Sequence, residues 1–166
     1  MSETDEDPPA GWSGRGIAAL GMSVIAGAAA FILLYGDRAQ APGADGLWLF
    51  VTETLVGHLG GGFVAGWLLG GTFGRLGIAG WPLALVGGVL ASLLAGLIGA
   101  AIASLPGMVG GISIGSQIVQ VGVGVLVTPL AIEGAPWFGI AWLIAVLVLH
   151  VLVRRVRRRH AVVVSA

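Results

Sequence analysis

Charge is gathered at the two ends of this chain, and that placement constrains the fold more than any other feature. Glu3, Asp5, Glu6 and Asp7 crowd the first residues, and Arg154, Arg155, Arg157, Arg158 and Arg159 crowd the last. Between them the charged side chains are Arg15, Asp37, Arg38, Asp45, Glu53, Arg75 and Glu133. Charged types make up 10% of the chain, against roughly 25% in an average soluble domain. A water-facing shell cannot be built from so few. This excludes a soluble enzyme domain, a disordered chain and a nucleic-acid binder. It leaves a polytopic integral membrane protein.

Five hydrophobic segments follow from the hydropathy pattern: residues 17–35, 47–73, 81–105, 112–132 and 137–153. Each approaches the ~20 residues that a bilayer-spanning helix needs. Inside hydrocarbon every backbone N–H and C=O must be bonded within the protein, so helices are expected despite 30 glycines. The expected fold is an all-α helical bundle with four or five transmembrane helices. It is organised as an acidic disordered tail (1–14), a transmembrane domain (15–155) and a basic cytoplasmic tail (156–166). Trp12, Trp48, Trp81 and Trp137 precede segments one, two, three and five, where an aromatic belt would stand. The acidic start is unlike a signal peptide, which opens on positive charge. Pro106-Gly107 is expected to end the third segment.

The fourth segment is the least regular. Ser113, Gln117, Gln120, Gly124 and Thr128 fall on one helical face, which predicts a polar seam turned towards other helices. A re-entrant segment shielded by protein is the alternative to a full span. Arginine placement bears on this choice through the positive-inside rule. Five crossings put Arg38 and the arginine tail inside, with Arg15 and Arg75 outside. Four crossings put Arg15, Arg75 and the tail inside, which is a slightly stronger bias. The uncharged run 112–132 favours five. The expected location is a bacterial inner membrane with the C-terminus cytoplasmic.

The strongest motif is a run of small residues at four-residue spacing. Gly62, Gly66, Gly70 and Gly74 form one such track; Gly88, Ser92 and Gly96, continuing to Ala100 and Ser104, form another. Ala91, Ala95, Gly99 and Ala103 run beside the second. Small residues let helix backbones approach closely, and in lipid that packing is a main source of association. This zipper pattern predicts tight helix packing, within the chain or between chains. The glycine texture of segments two and three resembles that of small bacterial transglycosylase-associated membrane proteins, and it implies no site residue.

Chemistry-bearing residues are few. Glu53 and His58 lie inside the second segment, where an ionisable group is a functional candidate by default. With Gln117 and Gln120 they could mark an ion or proton path. His58 continues the Thr54, Gly62, Gly66 face, and beside glycines it could be an axial ligand to a haem- or chlorophyll-type pigment. His150 is expected near the cytoplasmic interface, at a different depth from His58, which argues against a haem held by both. Arg154, Arg155, Arg157, Arg158 and Arg159 are expected to anchor topology and meet anionic lipid headgroups or a partner subunit. Cys is absent, and no Walker loop, HExxH or CxxC occurs, so no metal or catalytic group is expected. The letters G-x-S-x-G do occur at Gly111 to Gly115, without the strand–turn–helix setting of a nucleophile elbow.

The functional expectation is a non-enzymatic accessory subunit of a larger membrane complex, assembling through small-residue helix faces. Its partners would be the bilayer and other membrane subunits or itself, not nucleic acid. Two alternatives remain: a small oligomeric channel or transporter, and a pigment protein.

Overall fold

A computed structural model describes residues 12–37, 47–109 and 113–164. Residues 1–11 of the expected tail, the loop carrying Arg38 and Asp45, and Ile112 lie outside this set. Among the described residues the chain is helical, with no strand. The helices are α1 (Trp12–Asp37), α2 (Leu47–Leu69), α3 (Gly80–Val109), α4 (Ile114–Gly124), α5 (Val127–Gly134) and α6 (Pro136–Val164).

Four boundaries differ from expectation, each for a local reason. Helix α1 begins at Trp12, inside the stretch assigned to the tail; Trp12 packs edge-on against Trp67 at 5.6 Å. The second segment ends early, in a single 3-10 turn over Gly70–Thr72, where the Thr72 hydroxyl donates to Leu69 O at 2.7 Å. Phe73 is then extended and fully buried. Helix α3 runs through Pro106 to Val109 instead of stopping before it. A proline removes one i→i−4 bond, and so close to the helix end little ladder remains to be lost. Finally, α6 continues unbroken through the arginine cluster to Val164, so the basic tail is helical up to there.

The fourth segment is two helices, α4 and α5, bent by 56° at Val125-Leu126. Pro129 lacks the N–H that would bond back to Val125 O, and it sits in the first turn of α5, where a missing donor costs least.

Among the described residues three helices are long and apolar enough to cross a membrane: α1, α3 and α6, with α4 plus α5 as a fourth if the bent pair is one span. Helix α2, 23 residues long, carries Thr52, Glu53, Thr54 and His58 within its apolar sequence. Its position compensates. It lies between α1 and α3 and packs mainly on those two. Helix α4 rests on α3, α5 on α1, and α6 on α1 and α3.

The interior is built from small side chains. Ala18, Ala84, Ala91 and Ala95 are fully buried, with Met22, Phe73, Val146 and Val153 as the larger fillers. Phe31, Phe50, Leu68, Ile118, Ile140 and Ile144 point outward. Bulky apolar groups outside and alanine inside suit a hydrocarbon surround, where close backbone packing replaces apolar burial as the driving force.

Candidate functional site

Each small-residue track meets a different neighbour. A Cβ on Gly62 would lie 2.5 Å from Met22 O, and one on Gly66 2.5 Å from Ala18 O, so this track faces α1. Gly70 continues it against Arg15 and Ala18. The adjacent pair, Gly57 and Gly61, faces α3: a Cβ on Gly57 would stand 2.5 Å from Gly99 O, and Gly61 meets Ala95 O and Gly99 N. On α3, Gly88 lies against Val146 and Trp142 of α6, and the Trp142 indole donates to Ser92 Oγ at 3.0 Å. Gly96 and Gly124 meet backbone to backbone, which seats α4 on α3. Gly74 lies beyond the helix, with φ 73°, against Val153 and the Arg154 backbone.

These contacts occupy the faces on which assembly with other subunits was expected. The glycines left open are elsewhere, Gly16 on α1 and Gly134 at the end of α5 among them. On α4, a Cβ on Gly115 or Gly122 would meet nothing within 4 Å.

Glu53, His58, Gln117 and Gln120 have unlike surroundings. His58 is 3% exposed; its Nδ1–H donates to Thr54 O at 2.8 Å, and its ring packs on Gly99 of α3. It therefore faces α3, not the α1 side with Gly62 and Gly66. The bond to Thr54 leaves the Nε2 lone pair, which has no hydrogen-bond partner. Gln117 is buried and Gln120 exposed, although the helical spacing had put both on one seam. Glu53 is half-buried on the first turns of α2. Ser113 of the G-x-S-x-G letters is the N-cap of α4, its Oγ accepting from Ser116 N–H at 3.4 Å; it serves the helix end, as serine does at such positions.

The most fully built polar cluster is at the other end of the bundle, around His150. This residue is fully buried within the bundle. The Gly74 N–H donates to its Nδ1 at 3.1 Å, and the Trp81 ring lies 4.8 Å away, tilted by 42°. Accepting at Nδ1 places the ring proton on Nε2, which finds no partner. Beside it the Arg157 guanidinium, 7% exposed, donates to Gly71 O at 3.0 Å. The turn after α2 is thus clamped onto the end of α6 by one imidazole and one arginine. The arginine cluster accordingly splits: Arg157 is structural and faces inward, whereas Arg155, Arg158 and Arg159 face outward.

His58 stands at Gly99 and His150 at Trp81, positions roughly 27 Å apart along α3 at about 1.5 Å per residue. No single haem reaches both. Among the described residues no group of three His, Cys, Asp or Glu is placed to hold a metal.

Cavities open on the flanks. One of about 550 Å³ lies between α1 and the α5–α6 turn, walled by Phe31, Ile32, Tyr35, Trp137 and Phe138. Another of about 380 Å³ lies under Ser92, Thr128 and Trp142. A third of about 390 Å³ lies beside Trp81 on the outer face of α6.

The chain matches no protein-family model, no curated protein and no solved structure.

Proposed function

We propose that this chain is a non-enzymatic subunit of a larger assembly in a bacterial inner membrane, with five membrane segments and its C-terminus cytoplasmic. In this reading α2 is the fifth segment, tolerated because α1 and α3 enclose it, and the glycine and alanine spacing serves to pack the bundle itself. The docking face is then on α4. The observation that carries the proposal is the outward pairing of Ser116 and Gln120 with the open glycines Gly115 and Gly122. Their neighbours Ile114, Ile118 and Val119 are also exposed. A glutamine amide turned to hydrocarbon is costly unless another helix supplies a partner, and two open glycines let such a helix come close.

The scatter of Glu53, His58, Gln117 and Gln120 over different surroundings favours this role over conduction. The enclosure of the His58 ring favours it over pigment binding.

Purification in a gentle detergent, with native mass spectrometry of the eluted species, tests the proposal. Other membrane polypeptides at fixed stoichiometry are expected. A homogeneous oligomer of this chain alone would overturn it.

A further inference from the structure

The outward face of α6 changes character along its length. Val148, Leu152, Arg155 and Arg159 recur at steps of four and three residues, so they share a face, and all four are exposed. The first two are apolar and the last two cationic. The opposite face buries Val146, Leu149, His150, Val153 and Arg157.

The 390 Å³ groove runs along this outward face, between α6 and the start of α3. Its lining is Trp81, Leu147, Val148, Val151, Leu152 and Arg155. Five of these are apolar or aromatic, and the one charge stands last in the helical order. Trp81 is held in the wall from behind by His150, which the Gly74 N–H fixes in turn. Arg158 and Arg159 are exposed one turn further on.

An apolar channel that ends in guanidinium groups has the polarity of a phospholipid. We infer that this groove binds one anionic phospholipid, with an acyl chain along Leu147, Val151 and Leu152 beneath Trp81 and its phosphate on Arg155. A free anion would gain only an exposed guanidinium, which water and salt screen. A zwitterionic lipid would bring its ammonium towards Arg158 and Arg159. The inference rests on the membrane location proposed above. It narrows the expected lipid contact of the arginine cluster to its outward members and excludes Arg157.

The test is native mass spectrometry of the full chain in detergent, with equal amounts of phosphatidylglycerol and phosphatidylcholine of identical acyl chains. The wild type is expected to retain one phosphatidylglycerol several-fold more than phosphatidylcholine. Arg155→Gln should lower phosphatidylglycerol retention about fivefold, or ~1 kcal/mol for one charge near the surface, and leave phosphatidylcholine unchanged. Leu152→Trp, which fills the groove without altering charge, should lower retention of both. Equal retention of the two lipids by the wild type, or an unchanged preference in Arg155→Gln, overturns the inference. So does displacement of phosphatidylglycerol by millimolar inorganic phosphate, which would mark a simple anion site. Recovery of the chain in the soluble fraction without detergent would sink the membrane location as well; recovery in membranes without lipid preference removes the inference alone.

Discussion

Gly74 is constrained twice, and its neighbourhood shows how much one residue can hold. Its φ of 73° is left-handed, and an added Cβ would fall 2.7 Å from Arg154 N and from Val153 Cγ1. Gly77 has a similar φ of 81° but open space around it. Gly77→Ala should therefore lose only the backbone term, about 1 kcal/mol, whereas Gly74→Ala adds a clash with α6 backbone and should lose clearly more. Thermal unfolding followed by circular dichroism in detergent checks the difference; equal losses would contradict it. His150→Phe keeps the ring against Trp81 but leaves the Gly74 N–H buried and unpaired, which should lower stability by about 1–3 kcal/mol in the same assay. This clamp was not legible in the sequence. Hydropathy assigns His150 a depth along its helix and nothing more, and the partner that fixes it is 76 positions away. The arginine cluster was legible as charge but not as two faces, because its division depends on where Gly71 stands.

At the scale of elements, glycine spacing was the readable signal and the choice of neighbour was not. The track through Gly62 and Gly66 faces α1, and the offset pair Gly57 and Gly61, which the four-residue repeat did not single out, faces α3. Gly61→Leu should push α2 from α3 and cost about 1–3 kcal/mol or more, as overpacking does. Gly115→Ala, in open space on α4, should be neutral or should stabilise the isolated chain by up to about 1 kcal/mol through helix propensity. Chemical denaturation of the two variants separates the cases; comparable destabilisation in both would contradict the account, because propensity alone favours alanine and leucine over glycine. The bend between α4 and α5 was foreshadowed by irregular composition around Gly124 and Pro129, but hydropathy averages over a window and cannot see a single missing backbone donor. For α1, α3 and α6 the same averaging works well, since a long apolar helix is what it measures.

For the whole molecule, the first question is how many times the chain crosses the bilayer. Because Cys is absent, introduced cysteines are unique reporters. With five segments, Ala10→Cys and Ala161→Cys should be labelled by a membrane-impermeant maleimide from opposite sides of sealed membrane vesicles. Labelling from the same side would mean an even number of crossings, with either α2 or the α4–α5 pair not spanning. The second question is what covers α4. In the proposed role, the open face of Ser116, Gln120 and the two glycines belongs to another subunit. The direct measurement is the mass of the species released by gentle detergent, for the wild type and for a Gly122→Leu, Gln120→Leu double variant. The wild type should elute with other membrane polypeptides at fixed stoichiometry, and the double variant should be released as the free chain with its helix content intact. A wild type that elutes alone, or a double variant that keeps the same companions, would contradict the claim.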